Sequence, residues 1–266
     1  MRAWRAHVPG IVEVLHARFV EHIYPAHVHD AWTLLIVDDG VVRYDLDRVE
    51  HGALRSRVTL LPPHVPHTGR AHTADGFRKR VLYLDTDVLG HDLAGRAVDH
   101  PSLADPVLRR RISQLHDVLT AHEDFEAESR LALIRARLYE HLRPTDPRTS
   151  SAELVGRHPV ATRRLAARLR ELIDSRIATG ITLREASRML NAHPDHLVRA
   201  FKAAFGLPPH RYLTSRRIDI ARRLLLAGQP PAEVAGAVGF HDQAHLTRHF
   251  TRQLGTTPAR YARGGR

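Results

Sequence analysis

The chain has 266 residues, 43% apolar and 26% charged, a balance that fits one large or two small globular domains and excludes wholesale disorder. It has no cysteine, which excludes disulfide scaffolds, thiolate metal sites and cysteine nucleophiles, and its longest strongly apolar run, Leu34-Leu35-Ile36-Val37, is far too short for a membrane span. The net charge of +11 is unevenly placed: residues 161–266 hold 19 Arg/Lys against 7 Asp/Glu, while residues 1–160 hold 21 against 22.

His7, Glu13, His16 and Arg18 interrupt any apolar core of a signal peptide, so the chain is expected in the cytoplasm and off the membrane. Residues 30–84 then carry the pattern of strands. Trp32–Val37 is an apolar run, Asp38-Asp39-Gly40 has hairpin-turn chemistry, and Val41–Leu46 follows. Val42, Tyr44 and Leu46 alternate with Arg43, Asp45 and Asp47, the period of a half-buried strand. Val58–Leu61 and Arg80–Leu84 add two more strands, and such a series predicts a small all-β sandwich or barrel.

His27-Val28-His29 stands before the first of these strands, and Pro62-Pro63-His64-Val65-Pro66-His67 follows a later one. In that order these features resemble a cupin, over about residues 12–90. A barrel of this kind predicts a small-molecule pocket lined by His27, His29, Trp32, Tyr44 and His67. The alternative is a scaffold whose interior is filled by its own side chains. His-x-His with a distant His is also a metal-ligand pattern, so a metal, if bound, would fall to His27, His29 and His67. Metal cupins usually carry a glutamate shortly after the His pair, where this chain has Thr33 and Leu34, and no cofactor is expected.

Two amphipathic helices come next. Leu108, Ile112, Leu115 and Leu119 form one stripe, and Leu131, Ile134, Leu138 and Leu142 a second. Packing against the barrel and a dimer interface are both open for them. Pro144-Thr145-Asp146-Pro147-Arg148-Thr149-Ser150-Ser151 reads as a linker. The expected organisation is an effector domain at 1–100, a helical pair at 101–143, a linker at 144–160 and a basic domain at 161–266.

The basic domain repeats itself. Leu197, Phe201, Gly206, Pro209 and Tyr212 recur 49 residues later as Leu246, Phe250, Gly255, Pro258 and Tyr261, and Ala186 and Arg199 recur as Ala235 and Arg248. In each copy a Leu and a Phe at i, i+4 form an apolar helix face, a Gly closes that helix, and a Pro opens the next. A shorter helix precedes each one. The first opens on the capping box Thr182-Leu183-Arg184-Glu185 and runs through Leu190, and the second covers Ala232–Val238. Short helix, tight turn, longer helix is the helix-turn-helix pattern, whose second helix enters the major groove. The outward residues are Asp195, His196, Val198, Arg199 and Lys202 in one copy, and Gln243, Ala244, His245, Thr247 and Arg248 in the other. Arg199 and Arg248 have the fork that suits guanine O6 and N7, Gln243 suits adenine, and Val198 or Ala244 suits a thymine methyl.

Residues from about 166 to 264 resemble the DNA-binding domain of the AraC/XylS family of bacterial transcription factors. The resemblance is carried by Leu197-Val198-Arg199-Ala200-Phe201-Lys202, Gly206-Leu207-Pro208-Pro209 through Tyr212-Leu213, and Ala221-Arg222-Arg223-Leu224-Leu225. Val238-Gly239-Phe240-His241-Asp242-Gln243, Leu246-Thr247-Arg248-His249-Phe250 and Gly255-Thr256-Thr257-Pro258 with Tyr261 complete it. It implies an all-α double helix-turn-helix joined by a long helix at roughly Pro209–Leu226, behind a cupin-like effector domain. Double-stranded DNA operators, a small-molecule effector, RNA polymerase and a homodimer are the partners it implies. No Gly-x-Ser-x-Gly elbow, phosphate loop or dinucleotide fingerprint occurs, so no catalytic residue is assigned. A metal-dependent cupin enzyme fused to a DNA-binding domain is the alternative, and a sequence-indifferent architectural DNA binder is a third reading.

Overall fold

The computed structural model describes residues 1–90, 92–143 and 160–264. The expected linker at 144–160 lies outside them except for its last residue. Among the described residues, ten strands form two antiparallel sheets. The larger contains β1 (Arg2–Trp4), β2 (Ile11–Phe19), β4 (Trp32–Gly40), β7 (Val58–Leu61), β9 (Phe77–Leu84) and β10 (Ser102–Leu103), in the order β1-β2-β9-β4-β7-β10. The smaller contains β3 (Tyr24–His27), β5 (Val42–Leu46), β6 (Val49–Ala53) and β8 (His67–Ala71), in the order β3-β8-β5-β6. The sheets face each other as a sandwich and do not close into a barrel.

Two turns differ from expectation. Asp38-Asp39-Gly40 does not form a hairpin: β4 stays paired to β9 as far as Gly40 opposite Phe77, and β5 belongs to the other sheet. Gly40 has φ +71°, and a Cβ there would collide with the Gly76 carbonyl oxygen, so glycine is required where the chain crosses between sheets. The tight hairpin instead joins β5 to β6 through Asp47 and Arg48, both at positive φ (45° and 71°), the handedness that matches strand twist.

The larger sheet is buried on both faces. Along β4, Thr33, Leu35 and Val37 point into the sandwich, while Trp32, Leu34 and Ile36 point outward against α3 (Pro106–Ala121) and α4 (Asp124–Leu142). Both helix stripes are consumed by this packing. Asp105 fixes the pair: its carboxylate caps α3 by accepting from the backbone N–H groups of Val107 and Leu108, and it also accepts from Arg137 and His141 of α4. Burial opposes ionisation, but these donors hold the Asp105 carboxyl well below the usual carboxylate range.

The remaining helices are the short α1 (Thr86–Leu89) and α2 (Ala94–Asp99) between β9 and β10, and then α5 (Val160–Asp174), α6 (Leu183–Leu190), α7 (Pro194–Phe205), α8 (Pro209–Leu226), α9 (Pro231–Ala237), α10 (Gln243–Leu254) and α11 (Pro258–Arg263). The repeat maps onto equivalent positions. Leu197 and Leu246, Phe201 and Phe250, Ala186 and Ala235, and Tyr212 and Tyr261 are all buried. Gly206 and Gly255 close α7 and α10 in the left-handed conformation, at φ 71° and 69°. Pro209 and Pro258 occupy the first turns of α8 and α11. The predicted capping box between Thr182 and Glu185 is formed.

The cores do not follow the domain boundary. One apolar cluster runs from the sandwich interior, with Leu35, Val81 and Tyr83, into the second helix-turn-helix, with Val234, Leu246 and Phe250. Val28 of the β-domain is fully buried in the core of the first helix-turn-helix, beside Leu197, Phe201 and Tyr212. No described helix is long and apolar enough to cross a membrane.

Candidate DNA-reading face and effector core

The second helix of each unit presents a polar face. Asp195, His196, Arg199 and Lys202 on α7 are exposed, as are Gln243, Ala244 and Arg248 on α10. Among the described residues Arg199 and Arg248 make no hydrogen bond or ion pair, so both guanidinium forks remain free for an external acceptor. His245 and Thr247 are half-buried, and the His245 ring lies edge-on to Phe240 at 5.2 Å. Val198 departs from expectation: it is half-buried and lines an apolar cavity of about 250 Å³ with Leu169, Ile173, Ala186 and Leu213.

The C-terminal ends of both reading helices rest on the β-domain. At the first, Arg48 from the β5–β6 hairpin donates to the carbonyls of Lys202 (3.2 Å) and Ala203 (2.8 Å), satisfying acceptors that the helix end leaves open. A Cβ on Gly206 would lie 3.5 Å from Pro66. At the second, a Cβ on Gly255 would come within 2.9 Å of both Phe19 and His22. The two glycines therefore answer to backbone handedness and, at Gly255, also to close interdomain approach.

Inside the sandwich, His27, His29 and His67 are brought together and buried, with ring centroids 4.4, 4.8 and 5.2 Å apart. His27 and His29 share a face because extended residues at i and i+2 point the same way. Each ring is oriented through Nδ1, which donates to Pro25 O from His27 (2.7 Å), to Val65 O from His67 (3.1 Å) and to Asp219 Oδ1 from His29 (2.8 Å). Burial drives all three imidazoles toward the neutral form, His67 to about 4 and the other two well below the usual histidine value. Lys79 shares the inward face of β9 with Phe77, Val81 and Tyr83, and its ammonium lies 4.3 Å from the Tyr24 ring centroid. Burial brings it down to about 8.

Two other expected pocket residues stand apart from this trio. Trp32 lies on the opposite face of the larger sheet, in the core beneath the helices, because the alternation along β4 groups it with Leu34 and Ile36. Tyr44 does point inward, but its ring stacks on His51 at 5.3 Å, and burial pushes its hydroxyl up to about 12.

The tetrapeptide His27-Val28-His29-Asp30 joins this core to the DNA-reading domain. His27 and His29 point inward and Val28 enters the first helix-turn-helix core, while Asp30 pairs with Arg216 (3.1 Å) and Arg223 (2.8 Å) of α8. The backbone N–H of Asp30 donates to Asp219, which also accepts from His29. Arg222 crosses the same boundary. It donates to Glu13 at 2.6 Å, to the Tyr261 hydroxyl at 3.0 Å and to Asp219 at 3.3 Å, and lies 4.0 Å from the Tyr83 ring centroid. Tyr261 in turn donates to Glu13.

Lys79, Glu13, Asp219 and Arg222 are absent from the sequence-based site. Two signals point to three of them. Lys79 falls on the apolar phase of β9, and Asp219 and Arg222 at i, i+3 interrupt the buried stripe of Ile218, Ala221 and Leu225 on α8.

Fold and sites together define a two-domain helix-turn-helix protein with a β-sandwich of ligand-binding type. Residues 9–142, about half of the chain, match the AraC-like ligand binding domain family, and residues 186–264 match a helix-turn-helix domain family. The chain belongs to the AraC family of transcriptional regulators. It is 30% identical over 90 residues to the probable transcriptional regulator LumQ of Photobacterium leiognathi, covering 34% of this chain and 36% of that one. It is 36% identical over 76 residues to the uncharacterized HTH-type regulator YbfI of Bacillus subtilis, covering 29% and 28%. The chain thus spans about a third of the length of these curated relatives. Across almost its whole length it has the fold of ToxT from Vibrio cholerae, with a TM-score of 0.56 at 12% identity, covering 94% of this chain and 96% of that one.

Proposed function

We propose that the protein is a sequence-specific DNA-binding regulator of transcription whose β-domain senses an effector. The observation that carries this reading is the tetrapeptide His27-Val28-His29-Asp30, one stretch of chain that belongs at once to the polar core of the sandwich and to the packing of the reading domain. In this reading α7 and α10 enter successive major-groove segments on one DNA face, about 34 Å apart. Arg199 and Arg248 each grip a guanine, Gln243 pairs with adenine and Ala244 meets a thymine methyl. Asp195, His196, Lys202, His245 and Thr247 contact adjoining bases and phosphates, while Val198 packs behind the helix.

The effector acts at the group formed by His27, His29 and His67, by binding rather than turnover. It changes DNA binding to the extent that it prefers one arrangement of the α8 joint over another. A ToxT structure holding an unsaturated fatty acid supports a small-molecule effector for a domain of this shape. The site of action is the cytoplasm, with RNA polymerase as partner. A homodimer would use Phe125 (84% exposed) and Leu133 on α4, since the two helix stripes are already buried. The test is a selection of genomic fragments by the purified protein at near-physiological salt. Enriched fragments are expected to share a motif with two half-sites about one helical turn apart. Uniform recovery of fragments would leave only electrostatic binding and refute the reading.

A further inference from the structure

We propose that His27, His29 and His67 bind a divalent first-row transition-metal ion through their Nε2 atoms, with Asp219 of the DNA-reading domain orienting the His29 ligand. The three residues can offer donor atoms that all lie within 4.8 Å of one another, and all three side chains are buried. The Pro25 and Val65 carbonyls can only accept, as does the Asp219 carboxyl when it is ionised, and this places the proton on each Nδ1 and leaves a lone pair on each Nε2. Among the described residues no protein group donates to those Nε2 atoms. One metal ion can engage all three imidazoles at once, where a single water, with two hydrogens, can donate to only two of them. An imidazole whose other nitrogen is fixed by a carboxylate or a carbonyl is also the usual outer-shell arrangement of a metal-bound histidine.

The opposing charges are Lys79, which is felt at all three rings, and Arg222, whose guanidinium lies 3.3 Å from His29 Nδ1. Arg222 is offset by Glu13 and Asp219. Lys79 has no ion-pair partner among the described residues, so it favours an ion that carries an anionic oxygen ligand in an open coordination position. Nitrogens bound at about 2.1 Å to one ion stand roughly 3–3.5 Å apart, so binding draws the rings inward from their present spacing. His29 is tied to Asp219, and its neighbour Asp30 to Arg216 and Arg223, so this contraction pulls on α8. That regulatory consequence rests on the function proposed above; the metal site does not.

The test uses the full chain, stripped with chelator and then titrated with Zn²⁺ or Co²⁺. About one ion per chain is expected, with X-ray absorption of the zinc form showing three imidazole nitrogens. His67→Gln is expected to abolish this tight stoichiometric binding, and Asp219→Asn to weaken it by about 10–100-fold. The chain has 21 histidines, so binding that persists unchanged in His67→Gln, or a coordination shell without three imidazoles, overturns the site. The wild-type spectrum decides even if a variant fails to fold. On the selected DNA motif, the ion is expected to change affinity by about 5–100-fold. Metal binding with no change in DNA affinity refutes the regulatory half alone, whereas the absence of any selected motif refutes the DNA-binding function and leaves the metal result standing.

Discussion

Arg222→Ala is expected to cost the folded chain about 3–5 kcal/mol, the usual penalty for removing one partner of a buried ion pair. Arg222 is 3% exposed and Glu13 2%, and the pair lies at the seam between β2 and α8. Removing the guanidinium strands the Glu13 carboxylate without a countercharge and takes one donor from Asp219. Calorimetry of the full chain is the measurement, and a clear fall in the unfolding temperature is the expected result. Arg222→Lys should rescue little, because an ammonium cannot serve Glu13, Tyr261 and Asp219 through one planar fork. The double change Glu13→Gln with Arg222→Met should recover much of the loss, since it removes both buried charges of the pair. A single Arg222→Ala protein as stable as wild type would mean that the seam does not hold the domains together.

The second large effect falls on DNA. Arg248→Ala and Arg199→Ala are each expected to weaken binding to the selected site by about 10–100-fold, corresponding to about 1–3 kcal/mol of base discrimination. Each should also relax the preference at one base pair. Neither should alter folding, because both side chains are exposed and unpaired among the described residues. Binding measured on the selected site and on random DNA separates the outcomes: equal losses on both would make the arginine a phosphate contact. If the helices act in separate groove segments, the double variant should lose roughly the sum in free energy.

The helix-turn-helix half could be read from sequence because its determinants act within a turn or two of chain. The Thr182–Glu185 capping box, Pro194, Gly206 with Gly255, and Pro209 with Pro258 each end or start a helix by local geometry. In the sandwich, the alternation of Val42, Tyr44 and Leu46 correctly marked one buried face. Trp32–Val37 shows no such phase, because this stretch is buried on both sides, so the pattern alone does not tell that Trp32 enters the core beneath the helices. At Asp38-Asp39-Gly40, turn chemistry marked a reversal but not the change of sheet. The real hairpin at Asp47-Arg48 lacks the glycine that usually announces positive φ. The seam was the least readable part. His29 and Asp219 lie 190 residues apart and Glu13 and Tyr261 248, and no local pattern pairs them.

The two reading helices are expected to engage one DNA face as a fixed pair. The direct measurement is the affinity of the purified chain for its selected site and for the same site with about five base pairs, half a helical turn, inserted between the half-sites. A fixed pair predicts that the insertion reduces binding to that of a single half-site, because the second half-site is carried to the opposite face of the duplex. Undiminished affinity for the altered site would contradict it.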